Sequence, residues 1–133
     1  MELHLKVVEA ANVPKMDIIT QSDPYCVISL STSNKKWKTS VKDNTNKPQW
    51  NEEFCLPVSP NLSDVLTITM FDKDLFKDDE IATLQIALRT LQVGKVTDLW
   101  YNPDPAPKVK GRCQIRLILH LHRIGFPAFI DCS

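Results

Sequence analysis

Apolar and polar residues alternate with period two along most of this chain. In "LHLKVVE", Leu3, Leu5 and Val7 fall on one face. In "DVLTITMF", Val65, Thr67, Thr69 and Phe71 alternate with Leu66, Ile68 and Met70. The cleanest run is "CQIRLILHLHR". There Ile115, Leu117, Leu119 and Leu121 share a face, and Gln114, Arg116, His120 and His122 lie opposite, with Ile118 the exception. Such alternation predicts half-buried strands. Weaker runs at 24–30, 36–42, 50–56, 81–87 and 96–101 bring the total to about eight strands. Clusters of Pro, Asn, Asp and Ser separate them, and Pro14, Pro48, Pro57, Pro60, Pro103, Pro105 and Pro107 fall in predicted loops. Short strands at this spacing predict an all-β antiparallel sandwich. A short helical turn is expected near 87–92.

Composition adds bounds. The 133 residues make one domain, without an internal repeat. Hydrophobic residues are 43% and charged residues 24%, as in globular chains. With 16 basic and 16 acidic residues, charge-driven binding must come from local clusters, and no nucleic-acid partner is expected. "MELHLKVVEA" lacks the pattern of a secretory signal, and no apolar run approaches a membrane span. Cys26, Cys55, Cys113 and Cys132 form no C-x-x-C pair and are expected to be reduced and packed, as in a cytosolic protein.

Charge is concentrated in "FDKDLFKDDE", where Asp72, Asp74, Asp78, Asp79 and Glu80 surround Leu75 and Phe76. A second acidic loop, "KMDIITQSDPY", carries Asp17 and Asp23. Carboxylates converging on loops suit a hard cation: calcium takes six to eight oxygen ligands in irregular geometry. An EF-hand does not fit. Counted from Asp72, position five is Phe76, position six Lys77 and position twelve Thr83, and the flanks are strands. Acidic loop clusters are also commonly plain solvated surface. Catalytic signatures are missing: there is neither a G-x-S-x-G nor a phosphate-cradling Gly-rich loop. His120 and His122 share a strand face from which they could ligate a metal, but plain solvent exposure is the ordinary state of such histidines.

"VPKMDIITQSDPY", "PQWNEEF" and "FDKDLFKDDEIA" resemble, in that order, the first calcium loop, a W-N-E strand entry and the third calcium loop of C2 domains. The resemblance runs from about residue 2 to 123. It is strongest to the C2 domains of cytosolic phospholipases A2, of the second (phospholipase-like) circular permutation. It implies an eight-stranded antiparallel Greek-key β-sandwich with calcium-binding loops at one end, a C2 domain over 1–124 and a tail over 125–133. It implies calcium as the metal, with ligands Asp17 and Asp23 from loop one, Asp72 and Asp74 from loop three, and Asn44 from loop two. The family's spacing to the fifth acidic ligand points to Glu80. Anchoring on "DDEIA" points instead to Asp79, and the phospholipase loop length to Asp78. Asp79 is the choice, Asp78 the reserve and Glu80 a bystander. Lys47 stands where the family usually has Asn.

The implied function is a calcium-dependent phospholipid-binding module without catalysis of its own, a cytoplasmic monomer that becomes peripheral on membrane when calcium rises. Ile18, Ile19, Leu75 and Phe76 are the expected insertion residues. At ~25 cal/mol per Å², burying Leu75 and Phe76 is worth roughly 3–5 kcal/mol. Lys36, Lys38 and Lys42, from "NKKWKTSVK", are the expected contacts to anionic headgroups. The lysines suit phosphatidylserine or phosphoinositide, and the apolar tips suit phosphatidylcholine. Two other readings stay open: a calcium-independent or protein-binding C2 domain, and the regulatory domain of a larger lipid-modifying enzyme.

Overall fold

The computed structural model describes residues 1–16 and 20–123. Its strands are β1 (Glu2–Ala11), β2 (Pro24–Leu30), β3 (Lys36–Lys38), β4 (Gln49–Pro57), β5 (Val65–Asp72), β6 (Asp79–Ala87), β7 (Val96–Tyr101), β8 (Asp104–Pro105) and β9 (Gln114–His122). One sheet has the order β4-β1-β9-β7 and the other β3-β2-β5-β6-β8, and all pairings are antiparallel. The helical turn expected near 87–92 is a 3-10 turn, Leu88–Thr90.

The alternation sorts the side chains as expected. Leu3, Leu5 and Val7 of β1 and Ile115, Leu117, Leu119 and Leu121 of β9 are buried in one sheet. They join Cys26, Ile28, Leu66, Ile68 and Met70 of the other sheet in one core cluster. Strict period two lets each sheet turn one complete apolar face inward, and this burial holds the layers together.

Two strands differ from the sequence reading. β3 stops at Lys38 instead of running to 42, because Ser40 turns out of the ladder. Its N–H donates to the two oxygens of the Glu52 carboxylate at 3.1 and 3.0 Å, and the Trp50 indole N–H donates to the Ser40 carbonyl at 2.9 Å. The two-residue β8, pairing Ala82↔Pro105 and Thr83↔Asp104, adds a ninth element among the described residues. Such a short proline-containing edge carries no periodic signal.

The expectation of reduced cysteines holds for Cys26 and Cys113, which are buried free thiols, and not for Cys55, which is disulfide-bonded. Cys132 and the expected tail over 125–133 lie outside the described residues. Exposure of the strand histidines is also corrected. His120 and His122 are only 6% and 5% exposed, and His4 is 2% exposed. β1 and β9 are neighbours, so outward-facing histidines far apart in sequence meet on one surface: His4 opposes His120, and Glu2 opposes His122. No helix among the described residues is long and apolar enough to cross a membrane.

Candidate metal centre

β2 and β5 run side by side in the register Pro24↔Asp72, Tyr25↔Phe71. Asp23, just before β2, therefore meets Asp72, which ends β5. The Asp23 N–H donates to Asp72 Oδ1 at 2.8 Å, and the Lys73 N–H donates to the Asp23 carbonyl at 3.0 Å. Two separate loops are thus tied at their bases. A third joins through Asn44, whose N–H donates to Asp23 Oδ1 at 2.6 Å and whose Oδ1 accepts the Gln21 N–H at 2.9 Å. Asn44 sits at φ 50°, the left-handed region that Asn tolerates better than most residues.

The far side of the centre is set by an irregularity. β5 and β6 pair regularly up to Met70↔Ala82, then slip by one residue to Phe71↔Glu80 and Asp72↔Asp79. An unbroken ladder would set Glu80 opposite Asp72. The bulge at Ile81 substitutes Asp79, since one extra residue moves every later side chain to the other face. Asp23, Asp72, Asp74 and Asp79, with Met16, Thr20, Gln21 and Lys73, line a concavity of about 150 Å³.

Electrostatics match this crowding. Burial pushes the Asp72 carboxyl above its ordinary range. The Asp23 N–H pulls it down, and the charges of Asp23, Asp79 and Asp74 push it up again. Asp78 is used differently. It accepts from the Tyr25 hydroxyl and from the Asp74 N–H, the latter at 2.9 Å, and pairs with Lys73 Nζ at 3.7 Å. These partners, Tyr25 first, hold its carboxyl below the ordinary range. Tyr25 is stacked on Phe71 with ring centroids 5.6 Å apart, and burial and the Asp78 contact push its hydroxyl up to about 12. Asp78 and Glu80 line a separate groove beside Phe71 and Lys77, which Asp79 also borders.

Several expected site residues are thus gathered and others stand apart. Asp23, Asp72, Asp74 and Asp79 share the concavity. Asp78 closes the loop from outside it, and Asn44 spends its side-chain oxygen on the first loop. Asp17, Ile18 and Ile19 lie outside the described residues. Leu75 and Phe76 cap the loop between β5 and β6 and are 92% and 97% exposed, the largest exposures among the described large hydrophobics. Lys36 and Lys38 are exposed on edge strand β3, opposite Ser29 and Val27. Trp37 between them packs against the core, with Lys35 Nζ 5.3 Å from its ring centroid. Lys42 is half-buried beyond that strand, its N–H donating to the Pro24 carbonyl at 3.1 Å. Tyr25 is the supporting residue that sequence reasoning missed. Its signal was the tyrosine two places after Asp23 in "SDPY".

The donor set suits a hard divalent cation: four carboxylates share the concavity, and like-charge repulsion from three of them bears on Asp72.

Comparison with known proteins finds relatives of this chain. Synaptotagmin-1 of Aplysia californica is 37% identical over 103 residues, covering 74% of this chain and 24% of that protein. Cytosolic phospholipase A2 delta of Mus musculus is 35% identical over 80 residues, covering 59% of this chain and 10% of that protein. The chain therefore spans a quarter or less of either relative. The first C2 domain of a plant extended synaptotagmin 1, a solved structure, superposes with a TM-score of 0.81 at 26% identity, covering 90% of this chain and 92% of that one. The tandem C2 domains of extended synaptotagmin 2, solved with calcium bound, give 0.79 at 26% identity, covering 90% and 44%. The sequence model of the C2 domain matches residues 1–103, and the chain belongs to the C2 domain family.

Proposed function

We propose that the chain is a calcium-dependent phospholipid-binding module whose loops at one end join a membrane surface when calcium rises. One observation carries this reading: four carboxylates from two loops share a concavity at the base of the loop that carries Leu75 and Phe76, which stand almost fully in solvent. Asp23, Asp72, Asp74 and Asp79 would hold the metal, with Asp17 as a further ligand from the first loop. Bound calcium supplies positive charge that offsets these carboxylates and coordination positions that lipid phosphate oxygens can fill. The resting loops repel an anionic surface through the same side chains. Leu75 and Phe76 provide apolar area for the headgroup and acyl boundary.

Lys36, Lys38 and Lys42 are the proposed contacts to phosphatidylserine or phosphoinositide headgroups. Lys36 and Lys38 border a neutral polar face: the row Lys36, Ser29, Thr67 and Gln85 runs beside Lys38, Val27, Thr69 and Thr83. The second row ends on Asp104, opposite Thr83, so a phosphate meets the lysines at the β3 edge of this face and a carboxylate only at the β8 edge. The similarity to a phospholipase A2 of which the chain spans 10% supports a second reading, a targeting domain that brings a lipid-modifying enzyme to its membrane. Both readings share the same loop chemistry. Co-sedimentation with phospholipid vesicles tests it: the protein should pellet with calcium and stay in the supernatant with chelator, and Asp72→Asn should abolish the difference. Equal pelleting in chelator overturns the proposal.

A further inference from the structure

At the other end of β1, Glu2, His4 and His122 form a group unrelated to the acidic loops. Each offers one ligand atom, and these atoms all lie within 4.8 Å of one another. His4 Nε2 is 3.3 Å from Glu2 Oε2, His122 Nε2 is 3.7 Å from the same oxygen, and the two Nε2 atoms are in direct contact. Both imidazoles are at least nine-tenths buried. Antiparallel pairing of Glu2 with His122 makes this possible, since directly opposed residues face the same way.

The protons sharpen the assignment. His122 Nδ1 lies 2.9 Å from the Arg123 carbonyl, which can only accept, so Nδ1 carries the hydrogen. The Nε2 of the neutral ring is then a bare lone pair aimed at His4 and Glu2. A carbonyl bond to one nitrogen that frees the other is the arrangement of a metal-ligating histidine. Ligands about 2.1 Å from a tetrahedral ion are separated by about 3.4 Å. The two distances to Glu2 bracket that span. The His4 and His122 rings meet edge to face with centroids 4.0 Å apart, and their Nε2 atoms would move apart to share one ion.

We infer that Glu2, His4 and His122 form a second metal site, for a zinc-class divalent ion. Two imidazoles and one carboxylate suit zinc and its first-row neighbours, whereas calcium demands six or more oxygens. Three protein ligands leave a fourth position for water or an added donor. The site stands apart from the acidic loops: Ala11, at the loop end of β1, is nine residues from Glu2, roughly 30 Å along an extended strand.

The test is a zinc titration of the full chain by calorimetry, with calcium in excess to occupy the acidic loops, and a parallel cobalt titration followed by visible absorption. Wild type should take up one equivalent of zinc and give the absorption of four-coordinate cobalt. Asp72→Asn should bind zinc unchanged. Glu2→Gln should weaken zinc binding at least about tenfold, and His4→Ala and His122→Ala should weaken it further. Absence of stoichiometric binding in wild type overturns the site, as does equal affinity in Glu2→Gln. Loss confined to Asp72→Asn also overturns it, by placing the ion in the acidic loops. Should the histidine variants fail to fold, the partly exposed Glu2→Gln decides alone.

Discussion

Replacing Phe76 by Ala separates membrane insertion from every structural role. The side chain is 97% exposed, so its loss opens no cavity and removes no core contact. The folded domain should melt at the wild-type temperature. At a membrane the whole ring is available for burial, and transferring a Phe side chain from water is worth roughly 1.5–3 kcal/mol. Taking about 2 kcal/mol, the vesicle partition coefficient should fall roughly 30-fold. The assay is co-sedimentation on phosphatidylcholine vesicles over a range of lipid concentrations, at saturating calcium and again in chelator. Neutral lipid removes the contribution of the lysine strand, so the apolar term stands alone. Calcium binding without lipid should be unchanged, because Phe76 contributes no oxygen to the concavity. A decrease of less than about twofold, with calcium binding intact, would refute the insertion argument.

The division of labour between neighbouring acids predicts that Asp79→Asn lowers calcium affinity at least about tenfold, and Asp78→Asn by much less; calorimetry giving the reverse order would exchange their roles. Without calcium, Asp72→Asn keeps the acceptor for the Asp23 N–H and loses the charge. Its melting temperature should rise by a few degrees at neutral pH, the shift that up to about 1 kcal/mol of relieved surface repulsion produces in a domain of this size. The sign follows from linkage. The folded pKa of Asp72 is raised, so its ionisation costs stability as pH climbs through and above the ordinary carboxylate range, and melts of calcium-free wild type at acidic and neutral pH should show a larger decline than those of Asp72→Asn. Lys36→Ala and Lys38→Ala should each weaken binding to phosphatidylserine vesicles about fivefold, the equivalent of about 1 kcal/mol, and added salt should shrink that difference; no change in either variant would clear this face of headgroup contact.

The strands were legible because period two is a local property. Leu5 and Leu119 declare their burial from their immediate neighbours, wherever the chain goes next. The same holds for the loop tip: Leu75 and Phe76 stand among charges too dense to enter a core. What escaped the sequence depended on register between distant segments. Composition alone does not separate Asp78, Asp79 and Glu80; the family resemblance chose Asp79, and the physical reason it faces Asp72, the bulge at Ile81, is visible only in the pairing. His4 and His122 look like two ordinary outward residues until the pairing of β1 with β9 brings them together. Cys55 likewise sits in an alternating strand, where no local signal marks it for a disulfide. For β3 the alternation ran past the strand's true end, because Glu52 and Trp50 compete for the backbone of Ser40.

The clasp on Asp78 bears on how the loop responds to its ligands. Asp78, outside the concavity, fastens the neck of the loop through Tyr25, Lys73 and the Asp74 N–H, before any ion arrives. The loop's conformational entropy is therefore spent during folding, not at the moment of binding. A loop that had to order itself around a cation, and then around lipid, would lose affinity at each step. Here the tip is a wedge cut in advance. Freeing the neck with Tyr25→Phe should show up chiefly as a less favourable binding entropy, with the ion-contacting oxygens unaltered.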